Sequence, residues 1–234
     1  MDASPPRRTR IQREKREIIL DAALEVFSTH GFRGSTIDQI AEQAAMSKPN
    51  LLYYFHRKED IHETLMQRLL DTWLQPLREL DDIGDPLTEL GGYIRRKLEM
   101  ARDFPRESRL FANEILQGAP RIMPMLKGEL KTLVDEKAAV IEGWMRSGRI
   151  ARTDPYHLIF SIWATTQHYA DFDVQVRAVL GSERGGDTRF DDAARFLERL
   201  FLEGLKPKGA ATASPQSSGT GSIVAMPSTS GTAT

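Results

Sequence analysis

Between Gly31 and Lys58 the chain writes out two short helices in immediate succession, and few folds accommodate such a pair. Thr36 stands three residues before Gln39, a capping-box pattern, and Ile37, Ile40, Ala41 and Ala44 make a short apolar stripe behind it. Ser47 can cap a second helix, with Pro49 tolerated in its first turn because the early amide protons have no intrahelical partner, and that helix runs to about Phe55. Ahead of the pair, Ile18, Ile19, Ala22, Ala23, Val26 and Phe27 recur at helical spacing from about Lys15 to Thr29, and Gly31 supplies a left-handed stop. Behind it, a helix opening near Lys58 carries Ile61, Leu65, Leu69 and Trp73 along one face until Pro76 stops it.

Four more helical stretches follow. Asp85-Pro86 and Asp154-Pro155 each join a capping side chain to a proline suited to the first helical position, and Pro105 and Pro120 punctuate the segments between. The last patterned stretch is roughly Phe190 to Leu205, with Phe190, Ala193, Ala194, Leu197, Leu200 and Phe201 on one side. Nothing alternates with period two for long, so the expected fold is all-α. The expected division is a basic flexible arm over 1–12, a helical head over 13–73 and a helical body over 74–208. Residues 209–234, rich in Ser, Thr, Gly and Ala, cannot bury enough to fold and read as a disordered tail, the alternative being a docking peptide around Ile223, Val224 and Met226.

Composition limits function by exclusion. The absence of cysteine removes disulfides, thiolate metal sites and thiol catalysis, and points to a reducing cytoplasm. No apolar run is long enough to span a bilayer, so a membrane is not expected as a partner. The five histidines, His30, His56, His62, His157 and His168, form no H-E-x-x-H spacing, and no glycine-rich phosphate loop or nucleophile elbow is present. The chain therefore reads as a non-enzyme with neither cofactor nor metal. Its net charge of −1 means that a nucleic-acid surface must come from local clustering.

That clustering is found at the N-terminus. Arg7, Arg8, Arg10, Arg13, Lys15 and Arg16 form a basic arm that could lie along phosphates, enter a minor groove, or simply be solvated. The two short helices behind it have the proportions of a helix-turn-helix over about 36–55. Ser47 and Lys48, at a helix N-terminus, suit phosphate, while Asn50 and Tyr53 suit base edges; Leu51, Leu52 and Phe55 can face inward.

The run GFRGSTIDQIAEQAAMSKPNLLYYFHRKEDI resembles the signature of the TetR family: a glycine turn, a Thr, an Ile-Ala pair, a Ser-led recognition helix ending in Tyr-x-x-Phe, and a Lys-Glu opening to the next helix. Pro49 departs from it, since many members carry glycine or another small residue there. The resemblance implies that Thr36 and Lys58 grip phosphates, that Ser47 caps and contacts the backbone, and that Lys48, Pro49, Asn50, Tyr53 and Tyr54 face the groove. Either tyrosine could instead pack against the next helix. The resemblance further implies a DNA-binding domain over 13–73 and a ligand-binding and dimerisation domain over 74–208; there, the stretches Trp73 to Leu77, Arg109 to Pro120, Asp135 to Trp144 and Asp154 to Phe172 are similar to the pyrimidine-responsive branch of that family, which implies a repressor sensing uracil or thymine.

The residues can be read for that chemistry on their own. Trp163 and Gln167 stand four apart and share a helix face, placing an aromatic plane beside an amide that offers both a donor and an acceptor to a lactam edge. Trp73 could supply a second aromatic wall, with Phe111, Asn113 and Tyr169 as further lining. The alternative is that the aromatics are core and that Gln167 or His168 is a polar group at a dimer interface. One reading helix per chain and palindromic operator DNA require a two-fold partner, expected as a four-helix bundle of the Asp154 to Phe172 and Phe190 to Leu205 helices with their symmetry mates. A different effector, a protein partner, or a helical DNA-binding adaptor without a sensor remain the competing readings.

Overall fold

The computed structural model describes residues 7–207; the tail over 209–234 and the first six residues of the basic arm lie outside the described residues. The described chain is all-α: α1 (Arg7–Gly34), α2 (Ile37–Gln43), α3 (Lys48–Tyr54), α4 (Lys58–Arg78), α5 (Pro86–Asp103), α6 (Pro105–Leu116), the single turn α7 (Met123–Met125), α8 (Lys131–Arg146), α9 (Pro155–Asp171), α10 (Asp173–Arg184) and α11 (Thr188–Leu205). A π-helical turn over Leu126–Leu130 joins α7 to α8.

The expected caps are formed. Thr36 Oγ1 accepts the Gln39 backbone N–H at 3.2 Å while the Thr36 N–H donates to Gln39 Oε1 at 2.8 Å. Ser47 accepts from the Asn50 N–H, Asp85 from Thr88 and Asp154 from His157. Between α2 and α3 the corner is turned at Ala45, a non-glycine residue in the left-handed region with φ 51°.

Several boundaries differ from expectation. α1 begins at Arg7, so the second half of the expected arm is helical. Gly31 does take the left-handed conformation, with φ 67°, but a further turn reaches Gly34. α4 passes through Pro76 to Arg78, because burial of Leu74 and Leu77 on either side outweighs the lost hydrogen bond. Its end is closed from outside, where Lys137 Nζ donates to the Arg78 and Leu80 carbonyls at 2.8 and 2.7 Å. α10 was not marked by any apolar stripe and is mostly exposed; it is broken at Gly181, φ 72°.

Two apolar cores share α4. Ile61, Leu65 and Leu69 join Ile19, Ala23 and Phe27 of α1, Ile40 of α2 and Leu51 of α3, together with Leu110, Ala119 and Ile122 from α6 and the connection that follows it. One helical turn onward, Leu70, Leu74 and Leu77 join Tyr93 and Ile94 of α5, Trp144 of α8, Ile162 of α9 and Leu197 of α11. The helix that anchors the reading pair is therefore also a wall of the body. Any tilt of its second half moves the first.

Candidate DNA-reading surface and effector cavity

Capping turns the α3 face outward. Thr36, Ser47, Lys48, Pro49, Asn50 and Tyr53 are all exposed, Tyr53 to 62%, while Leu51 is wholly buried beneath them. Lys48 Nζ rests on Asp38 at 2.9 Å, a solvent-exposed pair that a phosphate can displace. Tyr54 is half-buried, its ring edge-on to Tyr53 at 5.1 Å and its carbonyl accepting from Arg16 at 2.7 Å. Of the two tyrosines, Tyr53 is the free one. Lys58 is turned inward rather than toward solvent: its ammonium donates to the Phe32 and Ser35 carbonyls at 2.7 and 2.6 Å and lies 4.3 Å from the Phe32 ring centre. The carbonyls that close α1 need a donor, and Lys58 provides it.

In the body, α6, the π-helical turn and α9 line an open-sided cavity of about 540 Å³ whose wall includes Phe111, Asn113, Trp163 and Gln167. The Trp163 indole N–H donates to the Tyr93 hydroxyl at 2.5 Å, which fixes the ring in the cavity wall. Tyr93 is fully buried, and burial raises its pKa well above the ordinary phenol value against the smaller opposing effect of that bond.

Two expected lining residues lie elsewhere. Tyr169 is two positions beyond Gln167, hence on another side of α9, and packs on Phe190 with ring centres 6.3 Å apart. Trp73 lines a separate cleft of about 320 Å³ between α1, α4 and the start of α6, with Phe104 6.5 Å away. Its indole N–H is buried without a partner among the described residues. Sequence reasoning missed Arg109 and Asp171 in the cavity wall. The signal for Asp171 was available: Trp163, Gln167 and Asp171 recur every fourth residue along one face of α9.

On its other side α6 meets the reading head. Glu114, only 3% exposed, accepts the Arg121 backbone N–H at 2.9 Å and its guanidinium at 2.8 Å. That guanidinium lies 3.6 Å from the Phe32 ring centre. The connection that brings Arg121 back turns at Gly118 and Ala119, both with left-handed φ of 87° and 54°. His62 of α4 sits edge-on to Phe27 and Phe32, with Nε2 3.7 Å from Glu114. Burial drives its pKa down to about 4 despite Glu114, so the imidazole is neutral at pH 7. A strip of α6 thus touches the cavity on one face and the head core on the other.

Comparison with known proteins agrees with this architecture. Residues 19–65 match the family described as bacterial regulatory proteins, tetR family, and residues 66–208 match YcdC-like protein, C-terminal region. The chain belongs to the TetR family. As a member it is a ligand-responsive, DNA-binding repressor that acts on operator DNA as a homodimer and has no catalytic activity. It is similar to the HTH-type transcriptional regulator RutR of Escherichia coli (strain K12), with 48% identity over 202 residues, 86% of this chain and 95% of that protein. The ketosteroid transcriptional regulator KstR2 of Mycobacterium tuberculosis shares the fold at TM-score 0.65 and 20% identity, over 82% of this chain and 94% of that one. AibR in complex with isovaleryl coenzyme A and operator DNA shares it at TM-score 0.62 and 18% identity, over 80% and 97%. Among the described residues no helix is long and apolar enough to cross a membrane.

Proposed function

We infer that the effector is a pyrimidine base, uracil or thymine, and that the protein regulates pyrimidine use. The observation that carries this reading is the pairing, in one cavity wall, of the fixed Trp163 ring face with the Gln167 and Asn113 amides. A flat lactam can stack on the ring while its C=O and N–H meet an amide that both donates and accepts. The cavity volume falls within the range of about 300–1,000 Å³ usual for small-molecule sites. The sequence's resemblance to the pyrimidine-responsive branch of the family supports the reading.

In this reading Thr36, Ser47 and Lys48 hold the operator backbone, and Pro49, Asn50 and Tyr53 face the major groove. Lys58 and Tyr54 act by fixing the head rather than by touching bases. Two heads are set at their spacing by dimerisation through the outward faces of α9 and α11. Tyr156 and Phe160 on the former, and Phe196 and Leu200 on the latter, expose between 38% and 55% of their surface in the single chain.

Calorimetric titration with uracil and thymine tests the effector. The expected result is saturable binding, one site per chain, weakened at least about tenfold in Gln167→Ala by loss of an amide hydrogen-bonding pair. Absence of both heat and a thermal shift at millimolar ligand contradicts a pyrimidine effector.

A further inference from the structure

Asp171 is the cavity-lining residue whose surroundings are hardest to explain as scaffold. It closes the ladder Trp163, Gln167, Asp171 on α9, so the three side chains present a ring face, an amide and a carboxylate to the same cavity. One of its oxygens is already occupied: the Ser108 hydroxyl of α6 donates to Oδ1 at 2.5 Å. The second carboxylate oxygen has no protein donor among the hydrogen bonds of the described residues.

Behind it stands Lys97 of α5, 2% exposed, which makes no ion pair among the described residues. Its ammonium lies 5.3 Å from the Trp73 ring centre and within the field of Asp171. A lysine buried without a paired carboxylate costs stability, which its place over the Trp73 ring offsets in part. Burial pushes the Asp171 carboxyl above its ordinary pKa, while the Ser108 hydroxyl and the charges of Arg109, His168 and Lys97 pull it back. Burial likewise lowers Lys97 to about 7, opposed by Asp171, so each group favours the charged form of the other.

We propose that Asp171 is a specificity-determining residue of the effector site, accepting a ring N–H of the ligand on its free oxygen while Gln167 pairs with the neighbouring C=O and N–H. Ser108 fixes the carboxylate in rotation, and its hydroxyl is the strongest influence favouring the ionised form, followed by the charge of Arg109. The site then demands two ring N–H groups rather than one. It admits the free pyrimidine base and rejects forms alkylated or glycosylated on either nitrogen, because a methyl or sugar clashes with the carboxylate or amide and leaves it covered by ligand without its partner. This rests on the pyrimidine reading above.

The test is calorimetry on the full chain with uracil, 1-methyluracil and 3-methyluracil, using the wild type, Asp171→Asn and Asp171→Ala, with thermal unfolding of each as a check on folding. The wild type should bind uracil and lose about tenfold or more in affinity for each methyl derivative, more for the one whose methyl faces the Asp171 carboxylate than for the one whose methyl faces the neutral Gln167 amide. Asp171→Asn should weaken uracil by about tenfold or more. Asp171→Ala, which removes the acceptor and leaves room for a methyl group, should bind one of the two methyluracils at least as tightly as uracil. A purely structural Asp171 would not change that ranking. Uracil affinity of the wild type should also fall on acidification as the carboxylate protonates, a dependence absent from Asp171→Asn. Unchanged uracil binding in both variants, or an unchanged methyl ranking in Asp171→Ala, overturns the role of Asp171 alone. Failure of the wild type to bind uracil overturns both the proposal and the pyrimidine reading.

Discussion

In the reading head, α2 and α3 are seven residues each and are placed by caps that reach only three residues along the chain. In the sensing body, the cavity wall draws on α6, the π-helical turn and α9, and its polar support comes from Ser108 and Lys97, more than sixty residues before Asp171. The first is local structure made rigid by a core; the second exists only once distant helices have docked. The two are not separate units, since Leu110, Ala119 and Ile122 lie in the head core and α4 serves both. A sensor built this way can move a head without touching it.

The strongest way to break the comparison is to empty the head core. Phe27, fully buried, should cost about 3–5 kcal/mol when replaced by alanine. Chemical denaturation should still give one cooperative transition, because the head core includes residues of the body. Two separated transitions would show that the head unfolds alone.

Next in size is a pH effect confined to the seam. His62 titrates near 6.5 when unfolded and about 4 when folded, so between those values the unfolded chain binds the extra proton. The stability this contributes is fully present above pH 6.5 and is lost as pH falls through 4, on the order of 3 kcal/mol in total. In His62→Met the acid side of the stability profile should flatten by a comparable amount. A profile identical to wild type would place the acid sensitivity elsewhere.

The smallest effect sharpens the head. Replacing Lys48 by alanine should weaken operator binding similarly for all sequences and reduce the slope of log K against log salt by about 0.9, one phosphate contact. An unchanged slope would leave Lys48 as only the partner of Asp38.

These differences also decide what could be read from the chain. The capping box at Thr36, the cap at Ser47 and the order of helices α1 to α4 were legible because Thr36 with Gln39, and Ser47 alone, carry their instruction within one turn. The extension of α4 past Pro76 was not, since Lys137 closes its end from fifty-nine residues away. Lys58 was expected on the phosphates and Tyr54 in the groove, because a lysine or tyrosine at a helix end is ambiguous until its neighbours are packed. In the cavity, Trp163 and Gln167 were visible as a spaced pair, and Phe111 and Asn113 followed from their stretch of sequence. Trp73 was expected in the effector wall, whereas its own periodicity, on one face with Ile61, Leu65 and Leu69, carries it into the head core. Asp171, Lys97 and Glu114 were passed over for a related reason: a charged residue on an amphipathic helix reads as solvated, and only tertiary packing shows that it is not.

The central claim is that ligand in the α6–α9 cavity changes how α4 holds the reading heads. Titration of the dimer onto operator DNA, with and without saturating uracil at fixed salt, tests it directly. The account predicts that uracil shifts operator affinity by about 5- to 150-fold, the usual span of such coupling. Equal operator affinity in both titrations, with uracil shown by calorimetry to be bound, would contradict it.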